Sequence, residues 1–136
     1  MADTLRFSIV TPQGVTFNEP AELVTLPAVD GQIGVGPGHG RLITQIVPGE
    51  VIVTQNGQET YLAVGEGLVE ITGDRVELLT DQAIPSDKVD EALAEAARER
   101  AAARLREKIA DEEVATVNGE IARALAQLQV KRRRRS

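Results

Sequence analysis

Glycine and proline divide this chain sharply. All six prolines and eleven of the twelve glycines fall within residues 1–85, which leaves Gly119 alone in residues 86–136. Proline fixes φ and removes a backbone donor, while glycine supplies the positive φ of tight turns, so a stretch punctuated this densely has no room for long helices. Residues 86–136 are instead rich in Ala, Arg and Glu, all strong helix formers. Charge divides at the same place. Residues 1–85 carry net −8 and residues 86–136 net +2, with five cations gathered in the terminal run Lys131–Arg135. The reading is α+β by content: an all-β sandwich or flattened barrel over 1–85, then a helical arm with a basic tail over 86–136.

Within the first part, Leu5, Phe7 and Ile9 alternate with Arg6 and Ser8 at the two-residue period of a half-buried strand. Pro12-Gln13-Gly14 marks a turn, and Glu22–Leu26 and Leu42–Val47 are further short apolar segments. Glu50–Thr54 and Glu59–Val64 flank Asn56-Gly57, a pair suited to the two positive φ values of a type I′ hairpin turn. Leu68–Thr72 and Arg75–Thr80 flank Gly73-Asp74, a second hairpin. Strands spaced this closely, with no helical stretch between them, predict a sandwich or flattened barrel.

In the second part Ser86 is placed to cap a helix, with Asp87 and Asp90 near the positive end of its dipole. Val114, Val117, Ile121, Leu125 and Leu128 recur at spacings of three and four, an amphipathic stripe. Val89, Leu93, Leu105 and Ile109 are thinner apolar beads, and between 94 and 104 the only apolar residue is Ala. A break near Ala110–Glu113, with Asp111 as a cap, makes a two-helix hairpin. Nothing enforces it, so one extended helix of about 75 Å is equally permitted at about 1.5 Å per residue. The face Ala94–Ala103 is expected to dock weakly on the sandwich, because alanine buries little area.

Composition excludes several chemistries. There is no cysteine, hence no disulfide, thiolate nucleophile or zinc–cysteine site, and the single His39 excludes multi-histidine metal centres. No cofactor and no metal are expected. Three aromatic residues, Phe7, Phe17 and Tyr61, do not furnish a stacking platform for single-stranded nucleic acid. No apolar run spans a bilayer, and the first residues lack the basic-then-apolar pattern of a signal peptide. His39 has no recognisable triad partner, so it reads as a loop-positioning or interface residue and no catalytic residue is assigned. Gly34-Val35-Gly36-Pro37-Gly38-His39 fails a dinucleotide pattern at its last position, and the glycine series reads as a structural turn. Glu112-Glu113, and Asp74 with Glu77, read as solvated faces.

The run Asp30-Gly31-Gln32-Ile33-Gly34-Val35-Gly36-Pro37-Gly38-His39-Gly40-Arg41-Leu42 resembles a loop of the epsilon subunit of F-type ATP synthases. The likeness continues through Gly65–Ile71, Val76–Asp81 and Ala122–Leu128, in order along the chain. The resemblance implies a ten-stranded sandwich and two helices. It also implies a non-catalytic rotor subunit of a proton-translocating synthase, peripheral on the cytoplasmic membrane face, that contacts the gamma subunit and the c-ring. It implies contacts with the alpha and beta subunits through an arm that, when raised, opposes ATP hydrolysis. Gly31, Gln32, His39 and Arg41 are the expected gamma and c-ring contacts. Arg98, Arg100, Arg104, Arg123, Lys131, Arg132, Arg133, Arg134 and Arg135 are the expected regulatory cations.

This chain departs from the family at Gly36, where a bulky apolar residue is usual, and at Gly40-Arg41, where Ala-Pro is usual. An ATP motif found in some relatives matches here at Asp90 and Arg123, but Leu93 and Gln127 stand where arginines would be. Regulation by bound ATP is therefore not expected. Two other classes compete with the rotor reading: a ligand-binding sandwich with a helical oligomerisation tail, and a basic-tailed nucleic-acid accessory. The rest of the chain is net −11, which opposes phosphate approach, so no nucleic-acid partner is expected.

Overall fold

The protein is described by a computed structural model covering residues 3–106 and 111–135, with side chains over 3–106 and 113–132. Ten strands precede two helices. They are β1 (Leu5–Thr11), β2 (Gly14–Ala21), β3 (Leu23–Ala28), β4 (Gly31–Val35), β5 (His39–Ile46), β6 (Gly49–Gln55), β7 (Gln58–Val64), β8 (Gly67–Gly73), β9 (Arg75–Thr80) and β10 (Ala83–Pro85). A single 3₁₀ turn, Ser86–Lys88, leads to α1 (Glu91–Leu105) and α2 (Asp111–Arg135).

The strands hydrogen-bond in the order β10-β7-β6-β3-β5-β8-β9-β1-β2, with β4 beside β3. The sheet folds at the β3–β5 corner, where Ala28 and Ile46 form the register pair. Its far margins then approach, and the Gln55 side chain donates to the carbonyl of Pro20 at 2.9 Å. Two layers result. Period-two alternation sends Leu5, Phe7, Ile9, Val69, Ile71, Val76 and Leu78 inward from one layer, and Val24, Leu26, Val51, Val53, Leu62 and Val64 from the other. All of them are buried, and Phe17 closes the core with its ring 5.5 Å from that of Phe7. Aliphatic residues fill this core because the sequence offers almost nothing else.

Both hairpins expected from turn chemistry are present. Asn56 and Gly57 have φ of 52° and 76°, and Gly73 has φ of 53°. The glycine-rich run differs from its reading as a turn, since Gly31–Val35 is a strand paired along its length with β3. With glycine at 31 and 34, that segment carries no apolar–polar alternation to read.

The arm is a hairpin folded back. Arg104 near the end of α1 lies 3.8 Å from Glu113 near the start of α2, and Arg132 near the end of α2 lies 3.6 Å from Glu91 at the start of α1. The two helices are therefore antiparallel neighbours. Helix α2 rests on the outer face of β6 and β7, where Ala126 and Val130 pack with Ala63 and Tyr61.

Three expectations for the arm are corrected. Ser86 is buried in the 3₁₀ turn, and the cap of α1 is Asp90, whose carboxylate accepts from the Leu93 amide at 3.1 Å. The alanine face does not dock on the sandwich; Ala94 and Ala101 are buried where α1 meets α2, and α2 makes the sheet contact. Leu125, read as part of the apolar stripe, and Leu93, read as one of the thinner apolar beads, are 44% and 66% exposed. Helix α2 needs two buried faces, one for α1 and one for the sheet, so its stripe is split among Val117, Ala124, Ala126, Leu128 and Val130. Gly119 causes no break, and Ile109, Ala110 and the Asp111 side chain lie outside the described residues.

Candidate functional site

The two outer faces of the sandwich are unlike. The face of β6 and β7 is covered by α2. On the opposite layer, strand register aligns Leu68 of β8 with Leu79 of β9, Leu79 with Val10 of β1, and Val10 with Val15 of β2. Leu68, Leu79 and Val15 are 42%, 43% and 64% exposed, and Ile43 on the neighbouring β5 is 64% exposed. An apolar row thus crosses four strands with no element of the described chain over it. Sequence reading missed it, although it left a signal. Ile9-Val10, Leu68-Val69 and Leu78-Leu79 are adjacent apolar pairs, and in a strand such a pair places one apolar side chain on each face.

The residues expected to meet gamma and the c-ring do not form one cluster. Gly31 pairs with Ala28, and Ala28 pairs with Ile46 at the end of β5. His39 begins the same strand and pairs with Gly73. Gly31 and Gln32 therefore lie at one end of the sandwich, with exposed Val29 and Val47 beside them. His39 and Arg41 lie at the other end, about 20 Å away at the rise of a strand. At that second end Gly38 donates its amide to Asp74 Oδ1 at 3.2 Å, and His39 Nδ1 lies 2.6 Å from the carbonyl oxygen of Gly40. Gly40-Arg41, the departure from the family loop, falls where the β5–β8 register shifts between His39 and Leu42.

The arm holds the remaining candidates. Between α1 and α2 lies an open cleft of about 460 Å³, to which Arg100, Arg104, Arg123, Leu93 and Gln127 contribute. Arg98 pairs with Glu95 at 2.7 Å, one helical turn away, and so acts within α1. Asp90 is occupied as the helix cap. Arg123 reaches Asp81 Oδ2 at 3.4 Å and Glu66 Oε1 at 3.7 Å, both on the sandwich, which sequence reading did not anticipate. Arg132 also reaches Glu95 at 3.3 Å, and Lys131 is half-buried beside it. The side chains of Arg133, Arg134 and Arg135 lie outside the described residues. Among the described residues no group of acidic or histidine side chains is placed to hold a metal, and no helix is long and apolar enough to cross a membrane.

Residues 4–86 match the family model described as the ATP synthase delta/epsilon chain, beta-sandwich domain. The chain belongs to the ATP synthase epsilon-chain family. An epsilon chain from Hydrogenovibrio crunogenus is 34% identical over 129 residues, covering 95% of this chain and 90% of its own. One from Alkalilimnicola ehrlichii is 37% identical over 133 residues, covering 97% and 95%. A chain in the Euglena gracilis mitochondrial ATP synthase, OSCP/F1/c-ring in rotational state 1, superposes with a TM-score of 0.77 at 21% identity, covering 98% of this chain and 82% of that one. At that identity the likeness establishes the shared fold. As an epsilon chain the protein is a non-catalytic subunit of the synthase complex, which accords with a site made of faces and ion pairs.

Proposed function

We propose that this epsilon chain is a rotor subunit that joins a gamma subunit to the c-ring of a proton-translocating synthase and restrains ATP hydrolysis through its arm. One observation carries the reading: the sandwich has one face covered by α2, and an apolar row on the opposite face that no element of the described residues covers. A bare row of Val15, Val10, Leu79 and Leu68 suits a permanent protein partner, since exposed contiguous apolar surface marks interaction sites. That partner is assigned to gamma, with Ile43, Arg41 and His39 at the margin of the same face. The end bearing Gly31, Gln32, Val29 and Val47 is assigned to the polar loops of the c-ring. Membrane association then comes through the complex, at the cytoplasmic face.

Residues 1–85 act as the rigid coupler and 86–136 as the movable arm. The buried apolar cluster between α2 and the sheet is Ala63, Ala126 and Val130 with Tyr61 against it, mostly small side chains beside the large aliphatic core of the sandwich, which favours release of the arm over disruption of that core. Once raised, the arm would bring Arg98, Arg100, Arg104, Arg123 and the tail cations toward the alpha and beta subunits.

Co-purification tests the reading. The full chain is expected to bind gamma, and Leu68→Asp with Leu79→Asp, both on the solvent side of their strands, is expected to abolish binding without unfolding the sandwich. Retained binding in a folded double variant would move the gamma contact elsewhere. Deleting Lys131–Arg135 is expected to relieve hydrolysis inhibition in the assembled enzyme, most clearly at low salt, where screening is least.

A further inference from the structure

Arg123 extends from α2 to two carboxylates carried on neighbouring turns of the sandwich. Glu66 lies in the turn between β7 and β8, and Asp81 follows β9. Their turns are tied together: the Asp81 amide donates to the Glu66 carbonyl at 3.3 Å, Thr80 Oγ1 donates to the same oxygen at 2.9 Å, and the Gly65 amide donates to the Gln82 carbonyl at 3.1 Å. Gly65 leaves the space that the Asp81 carboxylate fills, because a Cβ there would overlap it. Gly119, one helical turn before Arg123, presents only backbone to Glu66; a Cβ would sit 3.5 Å from Glu66 Oε1. The Arg123 side chain is 26% exposed, against 48% for Asp81 and 66% for Glu66, so it is the most sheltered of the three.

We propose that Glu66, Asp81 and Arg123 form a charge clasp that holds the arm folded back and whose strength sets the fraction of arms released. Two acids converging on one another are unfavourable until a cation separates them, so the clasp is made only when α2 is docked. The buried apolar cluster at this docking surface joins Ala63, Ala126 and Val130 with Tyr61 against them, mostly small side chains, so a charge contribution weighs in the balance. Arg123 thereby opposes release, and any anionic surface that recruits it must first displace two carboxylates. The clasp also occupies the end of the sandwich that carries Gly31, since Gly67 pairs with Ile46, Ile46 with Ala28 and Ala28 with Gly31. The inference rests on the arm being movable, as in the function proposed above.

The chain contains its own reporter. Tyr61 is its one tyrosine, there is no tryptophan, and its ring packs against the docked helix. Acrylamide quenching of Tyr61 fluorescence in the isolated full-length chain reads the released fraction directly. In the unaltered chain quenching is expected to rise from low to high salt. Asp81→Asn with Glu66→Gln is expected to raise the released fraction about three-fold at low salt and to flatten the salt response, from the range measured for partly exposed ion pairs. Glu59→Ala, made in both backgrounds, removes the hydrogen bond that the Tyr61 hydroxyl donates to Glu59 at 3.3 Å, so that this bond does not colour the comparison.

Arg123→Gln reports the same loss from the helix side, should the paired substitution perturb the turns. Exchanging charges, Arg123→Asp with Asp81→Arg, is expected to recover part of the docking. Quenching and salt response unchanged in both the carboxamide pair and Arg123→Gln would overturn the clasp. A clasp that responds in the isolated chain while hydrolysis in the assembled enzyme does not would instead overturn the arm's inhibitory role and leave the clasp standing.

Discussion

Gly67 lies against the carbonyl oxygen of Leu79 with no room between them for a Cβ. The two residues stand where β8 and β9 begin and end their pairing, and backbone on both sides makes the approach rigid. Gly67→Ala is therefore expected to force the strands apart. A cost of about 2–3 kcal/mol follows from overpacking, or roughly 10 °C in melting temperature for a domain of this size. Gly34→Ala is the control: a Cβ there meets only Leu23 Cδ1 at 3.8 Å, so its melting temperature should hold or rise slightly. Thermal unfolding of both variants checks the contrast.

Gly119 gives the opposite expectation. It lies within α2, has ordinary helical φ, and a methyl group there would meet Glu66 Oε1 and Arg123 Nη1 at 3.5 and 3.6 Å, normal van der Waals distances. Gly119→Ala should then stabilise α2 by about 0.5–1 kcal/mol through its unfolded state and helix propensity. Slower amide exchange across Val117–Ile121 is the measurement, and unchanged or faster exchange would show that the added methyl disturbs the nearby ion pairs.

Asp90 matches the ATP motif of some relatives, yet its carboxylate is engaged with the Leu93 amide as a helix cap. Asp90→Ala should cost about 1 kcal/mol and loosen the first turn of α1. Leu93 brings no charge to the cleft and Gln127 brings none either, while Arg123 is drawn toward Asp81 and Glu66. Added ATP is expected to leave the melting temperature of the full-length chain unchanged. A rise that grows with ATP concentration would show binding by linkage and would return Arg100 and Arg123 to a nucleotide role.

The parts of this fold that sequence made legible are those fixed by nearest neighbours. Alternation at Leu5, Phe7 and Ile9 placed a strand, and Asn56-Gly57 placed a hairpin, because each pattern meets a local backbone requirement. The folded-back arm was not legible, since α1 buries alanines at 94 and 101 and leaves its leucine at 93 exposed. Residue size pointed to the wrong face; close helix approach favoured the small side chains. The Glu66–Asp81–Arg123 cluster was hidden for a different reason. It joins two turns and a helix separated by 42 residues from Asp81 to Arg123, a relation that no local spacing encodes.

The buried alanines of α1 supply a final test. Ala94 and Ala101 are 3% and 1% exposed where α1 meets α2, whereas Ala92 is exposed on the same helix. Ala101→Leu adds volume to a close helix–helix contact and should destabilise the hairpin by about 1–3 kcal/mol, whereas Ala92→Leu should be nearly neutral. Because the sandwich core is untouched, the effect should appear as faster amide exchange in both helices with the strand amides unchanged. If the arm inhibits hydrolysis by rising, Ala101→Leu should also deepen inhibition in the assembled enzyme, since separating the helices favours the extended arm. Faster exchange without deeper inhibition would mean that the helices must remain paired to inhibit, and equal exchange in the two variants would mean that Ala101 is not the contact holding the hairpin closed.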